Sequence, residues 1–159
     1  MDVTGRGVPG VGSDAAPRHL TFVPLLMGLK NMRDETVPAT ELLICTKCRR
    51  GQEVGDDAVR PGAALHRELS ETGLPEGIRL TEVECLSNCS QGCTIALRGP
   101  GRWTFVFGNL HETNHLDTIR DGAARYRDTP DGLVPWRERP EHFRKNCIAR
   151  IPPMEAQNV

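Results

Sequence analysis

The feature that most constrains this chain of 159 residues is the placement of its six cysteines. Five of them lie close together in two groups: Cys45 and Cys48 form a C-x2-C pair, and Cys85, Cys89 and Cys93 follow at four-residue spacing. In a reducing cytosol, grouped cysteines hold a metal or do redox chemistry more often than they form structural disulfides. The pattern therefore predicts a metal or redox site where two loops meet.

The compartment and the partner class follow from hydropathy and charge. The chain has no apolar run of about eighteen residues, so we expect no transmembrane helix and no membrane partner. Residues 22–29 are too short for a signal peptide, contain a proline and precede no small-residue cleavage site. We therefore expect a cytoplasmic protein. Twenty Lys and Arg balance twenty-one Asp and Glu, which argues against a nucleic-acid partner.

The composition divides the chain into three parts. Residues 1–39 begin with a Gly- and Pro-rich stretch without apolar periodicity, which is typical of a disordered leader. Met27 and Met32 lie within this flexible leader, so translation starting at one of them is an alternative. The predicted parts are a leader at 1–39, a metal-binding domain at 40–153 whose residues 128–153 form an extended, basic and Pro-rich C-terminal strap, and a tail at 154–159.

Hydrophobic periodicity predicts the elements of the folded part. In chain order they are a strand at 42–44 ending at Cys45, a helix from Pro61 to about Glu71, a strand at 78–84 ending at Cys85, a hairpin of strands at 93–97 and 103–107, and a helix at about 112–127. A helix between the first two strands implies a right-handed crossover and hence parallel strands. The predicted fold is an α/β, thioredoxin-like sandwich with a mixed four-stranded sheet and two main helices.

Both cysteine groups begin at the C-terminal end of a predicted strand. Parallel neighbouring strands would place Cys45 and Cys85 side by side at one edge of the sheet, with Cys48 and Cys89 in the adjoining loops. Thiolates that converge from two loops can bind a metal centre. We therefore predict Cys45, Cys48, Cys85 and Cys89 as ligands, with Cys93 as an alternative ligand or a fifth thiol.

The segment from Cys85 to Cys89, which follows a strand, resembles part of the thioredoxin-like [2Fe-2S] ferredoxins, including the small cluster-bearing subunit of respiratory complex I. In that group the first two ligands follow the first strand and the last two follow the second strand. The resemblance implies a [2Fe-2S] cluster as cofactor. The first cysteine pair is closer in sequence here than in those ferredoxins, and Cys93 is an additional thiol.

A more specific resemblance covers about residues 41–153 and rests on three segments. These are residues 45–49, 84–94 and 131–140. They resemble an uncharacterised bacterial family described as predicted metal-binding proteins, often encoded near cobalamin or cobalt-transport genes. The resemblance implies metal binding and keeps a role in metal delivery open.

The C-terminal strap carries a surplus of positive charge and two aromatic residues. One interpretation is a docking surface for an acidic redox partner, formed by Arg137, Arg139, Arg144 and Trp136. The alternative is a strap across the sheet that Trp136 anchors while the arginines stay solvated. Cys147 lies in this basic segment and is expected to be structural. A homodimer is among the expected oligomeric states.

Three functions are weighed for the cysteine site. The leading one is an iron–sulfur protein with a [2Fe-2S] cluster that carries one electron and is not itself an enzyme. The alternative is a zinc- or cobalt-binding protein linked to metal delivery or cobalamin metabolism, since four thiolates also suit Zn²⁺. The third is thiol–disulfide exchange by the C-x2-C pair. We rank it last because a long polar loop separates Cys48 from the helix at Pro61, whose dipole would activate a thiol.

Overall fold

The computed structural model describes residues 40–55 and 58–154. The predicted leader at residues 1–39, with its alternative start sites, lies outside the described residues, as do residues 155–159 of the predicted tail. In the described part, each helix is too short or too polar to cross a membrane.

The described residues form five strands and three α-helices. These are β1 (Thr40–Cys45), α1 (Pro61–Thr72), β2 (Ile78–Val83), β3 (Ile95–Arg98), β4 (Thr104–Phe107), α2 (Leu116–Arg127), α3 (Glu141–Lys145) and β5 (Cys147–Ile151). Short 3-10 turns lie at Cys89–Gln91 and Trp136–Glu138. The second cysteine group therefore lies on a loop with one tight turn, as expected from its poor helix formers.

The strands form one mixed sheet in the order β2-β1-β3-β4-β5. β1 and β2 are parallel, and each of the other neighbouring pairs is antiparallel. α1 connects the two parallel strands, and both α1 and α2 contact β1. The predicted α/β sandwich with a mixed sheet is confirmed, and β1, whose six residues are all buried, lies inside the sheet.

The prediction of a four-stranded sheet followed by an extended strap is wrong in one respect. Residues Cys147–Ile151 form a fifth strand that pairs with β4 and extends the sheet. The prolines at 135, 140, 152 and 153 favour extended chain, which is why the sequence predicts a strap for the whole segment. The proline-free stretch between Pro140 and Pro152 has its backbone N–H groups free for pairing, so it also accommodates α3.

Phe143, rather than Trp136, anchors the C-terminal segment. The Phe143 ring is buried, stacks on Phe107 at 3.9 Å between centroids, and fills the space above Gly122 of α2. Trp136 keeps 60% of its surface exposed. The strap interpretation with Trp136 as the anchor is therefore wrong, because a glycine on α2 leaves room for the phenylalanine instead.

Two element boundaries near the site differ from the predicted ones. β2 ends at Val83, so Cys85 lies two residues beyond the strand and belongs to the loop. α2 begins at Leu116 instead of residue 112. The residues before it form a turn in which the His111 N–H donates to Nδ1 of His115 at 2.8 Å.

Candidate metal centre

The C-terminal ends of β1 and β2 meet at one edge of the sheet, because the strands are parallel and Cys45 is opposite Val83. The chain after β1 continues along the chain after β2. The Thr46 N–H donates to the Val83 carbonyl at 2.8 Å, and the Lys47 N–H donates to the Glu84 carbonyl at 3.2 Å. The Cys45 thiol also donates to the Glu84 carbonyl at 3.4 Å. The two cysteine loops are thus in direct contact.

Five thiols come together at this edge and interact in a row. In order, the row is Cys93, Cys48, Cys45, Cys85 and Cys89. The first three are buried, whereas the last two are exposed. The row therefore runs from the interior of the protein to its surface, and all of its members are free thiols.

The row does not enclose one metal position. Within residues 40–55 and 58–154, no three Cys, His, Asp or Glu side chains are arranged to hold a single metal ion. A mononuclear zinc site needs four sulfurs about 2.3 Å from one point. A binuclear iron–sulfur cluster instead takes two thiolates on each of two irons.

Backbone N–H groups point at three of the five sulfurs. Leu86 donates to Cys45, Arg50 and Thr94 donate to Cys48, and Ser87 donates to Cys85 at 3.2 Å. Two of these donors, Arg50 and Ser87, have left-handed backbone angles, with φ of 51° and 55°. Such angles are uncommon for residues other than glycine, and here they belong to two residues whose N–H groups point at sulfur. N–H donors of this kind stabilise the negative charge of thiolates and clusters.

The thiols differ in how readily they ionise. The pKa of Cys48 is lowered to about 6, mainly because Cys93 donates a hydrogen bond to it; burial opposes this effect, and the backbone N–H groups of Arg50 and Thr94 add to it. The same hydrogen bond raises the pKa of Cys93, and burial adds to the effect. Burial raises the pKa of Cys45. The Ser87 N–H lowers the pKa of Cys85.

Two glycines allow Cys48 its position. A Cβ on Gly92 would lie 1.8 Å from Cys48 Sγ, and a Cβ on Gly62 would lie 2.0 Å from the Cys45 carbonyl oxygen and 2.9 Å from Cys48 Cβ. Gly62 is also the second residue of α1, and its N–H donates to the Cys48 carbonyl at 3.2 Å. The first turn of α1 therefore contacts the C-x2-C loop, so the expected separation between Cys48 and this helix is wrong. The two ends of the long loop, at Cys48 and Gly62, are therefore in contact.

The other residues singled out in the sequence lie elsewhere. Cys147 is exposed on β5 and pairs in register with Phe107. The Arg139 guanidinium donates to the Val134 carbonyl at 2.7 Å and lies over the Phe105 ring. Arg137, Arg144 and Trp136 share the same C-terminal segment. Their role as a docking surface stays a prediction.

Sequence reasoning missed three residues that shape the site. Gly62 and Gly92 contact Cys48, and Arg50 donates its N–H to the Cys48 sulfur. The glycines carried a usable signal, since Gly92 directly precedes a cysteine and Gly62 follows the proline that begins α1. A glycine beside a ligand residue often marks a close backbone approach.

The fold and the site define a class: a mixed α/β protein with five thiols at the C-terminal edge of its parallel strand pair. The chain belongs to the family described as "Protein of unknown function (DUF1636)", whose sequence profile matches residues 42–153. This match spans nearly the same residues as the resemblance noted from the sequence. No curated protein matches the chain. One solved structure similar to it is a thioredoxin-like [2Fe-2S] ferredoxin from Aquifex aeolicus, with 15% identity, coverage of 72% of this chain and 96% of that chain, and a TM-score of 0.45.

Proposed function

We propose that this protein binds a [2Fe-2S] cluster and serves as a one-electron carrier. The observation that supports this most is the convergence of five free thiols from two loops, three of which accept backbone N–H groups. Soft thiolate donors select iron–sulfur clusters, zinc and copper. The surrounding N–H groups favour a centre that gains negative charge when it is reduced.

The proposed ligands are the four sulfurs at the outer end of the row: Cys45, Cys48, Cys85 and Cys89. Together these four sulfurs would supply the four thiolates that a [2Fe-2S] cluster takes. Cys93 is fully buried at the inner end, behind Cys48. We assign it as a thiol that donates a hydrogen bond to the Cys48 sulfur.

The exposed end of the row is where an electron would enter or leave the cluster. Cys85 and Cys89 are exposed, whereas Cys45 and Cys48 keep 4% and 1% of their surface. Bound there, the cluster would accept or release one electron, and the chain supplies position, burial and hydrogen bonds. A redox partner would then contact the loop at residues 85–91, and a reducing compartment such as the cytoplasm would keep the ligands free.

The burial of the C-x2-C pair argues against thiol–disulfide exchange. An exchanging thiol needs access to its disulfide substrate as well as a low pKa. Cys48 has the low pKa, but its sulfur contacts Gly92 and its surface is nearly all covered. The alternative is a zinc- or cobalt-binding protein linked to metal delivery or cobalamin metabolism. It would use the same thiols, and metal and sulfide analysis distinguishes it from the cluster.

The test is anaerobic purification followed by iron and sulfide analysis and by EPR of the reduced protein. We expect about two iron and two sulfide per chain and an EPR signal after one-electron reduction. Cys45→Ala, Cys48→Ala, Cys85→Ala and Cys89→Ala should each lose the iron. Cys147→Ala is the matched control and should retain it, and Cys93→Ala should retain it with reduced stability. One zinc per chain without sulfide would contradict the proposal.

A further inference from the structure

Arg50 forms an ion pair with Glu112, and both charges act electrostatically on the buried Cys93 at the inner end of the cysteine row. The guanidinium Nη1 lies 3.3 Å from Glu112 Oε2, and each side chain keeps less than a quarter of its surface exposed. Glu112 belongs to the segment after β4, close to Leu110. The backbone of Leu110 exchanges two hydrogen bonds with that of Cys93. The ion pair thus connects the C-x2-C loop with the segment that supports the buried Cys93.

The backbone of Arg50 is held at the same place. Its φ is 51°, its N–H donates to Cys48 Sγ, and its Cα lies 3.7 Å from the position that a Cβ on Gly92 would occupy. The left-handed conformation costs free energy in a residue other than glycine. The hydrogen bond to Cys48 Sγ stabilises this conformation at the backbone, and the ion pair with Glu112 fixes the side chain.

We infer that Arg50 is a positioning residue of the metal centre: its backbone fixes the Cys48 sulfur, and its guanidinium, held by Glu112, sets the reduction potential. This inference rests on the proposed cluster. No other Arg or Lys side chain in the described residues forms an ion pair with Glu112. The neighbouring imidazole of His111 lies 3.6 Å from the same carboxylate oxygen.

Charge determines the direction of the effect. A cluster with four thiolates is anionic and gains one negative charge on reduction, so a nearby cation favours the reduced state. Removing the guanidinium also leaves the Glu112 carboxylate without its partner. Glu112 Oε2 is buried and accepts no hydrogen bond in the described part of the chain, so its charge would act on the centre with little screening. Both changes lower the potential.

The test measures the midpoint potential and the iron content of five variants by spectroelectrochemistry under nitrogen. Arg50→Gln should shift the potential to more negative values, and Glu112→Gln should shift it to more positive values. The double variant should lie between them, and Arg50→Lys should stay near wild type. Arg49→Gln is the matched control, because Arg49 is the exposed neighbour, and it should leave the potential unchanged.

The outcomes separate this inference from the proposed function. Wild-type protein without iron contradicts the proposed cluster itself, and the inference fails with it. Wild-type protein with a cluster whose potential moves in neither Arg50→Gln nor Glu112→Gln contradicts only the inference. If Arg50→Gln loses the cluster, Glu112→Gln decides, because it keeps the Arg50 side chain and backbone in place. A potential of Glu112→Gln equal to that of the wild type would then overturn the inference.

Discussion

The Gly62 N–H donates to the Cys48 carbonyl oxygen at 3.2 Å, which places the first turn of α1 directly against the C-x2-C loop. Twelve positions separate Pro61 from Cys48 in the sequence, residues 49–60, yet the two ends of that loop are in contact. The close approach depends on the missing side chain at Gly62, which would otherwise meet the Cys45 carbonyl.

Gly62→Ala is therefore expected to destabilise both the fold and the site. The added methyl group would overlap the Cys45 carbonyl oxygen at 2.0 Å, and overpacking of this kind costs about 1–3 kcal/mol. The midpoint temperature of thermal unfolding and the iron content should both fall. Gly55→Ala is the matched control in the same loop, because a Cβ there has open space around it. Equal losses in both variants would refute the role of this contact.

Glu41 should contribute to stability at neutral pH through its arginine partners. Its carboxylate is buried and accepts hydrogen bonds from Arg79 at 2.9 Å and Arg98 at 2.5 Å. Charged hydrogen bonds of this kind contribute about 1.5–3 kcal/mol each, so Glu41→Gln should lower the free energy of unfolding by about 2 kcal/mol. Glu141→Gln, which loses an exposed pair with Lys145, should change the free energy of unfolding much less, because exposed ion pairs contribute little.

The pH dependence of this contribution has a definite sign. Burial alone would raise the pKa of Glu41, but the hydrogen bonds from Arg98, Thr81 and Arg79 outweigh it and hold the pKa below its ordinary value. The stabilisation is therefore complete above about pH 4.5 and is lost as the pH falls through the pKa of the folded state. Urea unfolding between pH 3 and 7 should show a smaller acid loss in Glu41→Gln. An unchanged loss would contradict this assignment.

His115 should make the fold sensitive to mild acid. Burial lowers its pKa, and the electrostatic effect of the nearby His142 and His111 adds to it. A lowered pKa means that stability is complete above about pH 6.5, the ordinary value, and is lost as the pH falls through the folded-state pKa. His115→Gln should flatten the stability profile below pH 6.5, measured by urea unfolding at each pH. A profile identical to that of the wild type would argue against this effect.

The sequence was sufficient to predict the meeting of the two cysteine groups. Cys45 ends an apolar run and Cys85 follows an alternating one, and the helix at Pro61 requires the two strands to be parallel. Parallel strands end at the same edge, so the convergence of the loops followed from local patterns alone. The fifth strand did not follow, because prolines flank the short segment that contains Ile148 and Ile151 and because its pairing with β4 is a tertiary contact.

The details inside the loops were beyond prediction for a physical reason. Arg50 and Ser87 have backbone angles that neither helix nor strand periodicity encodes. The ion pair between Arg50 and Glu112 joins residues far apart in the sequence, and nothing in the spacing of charges marks that pair. Contacts of this kind depend on the folded arrangement of several segments together.

The measurement that tests the central claim most directly is native mass spectrometry of the full-length protein, purified without oxygen and without added iron. The mass difference between the folded and the denatured chain identifies the bound group. We expect the mass of two iron and two sulfide, retained in Cys147→Ala and lost in Cys45→Ala. A folded chain that carries a single zinc or cobalt ion would contradict the iron–sulfur assignment.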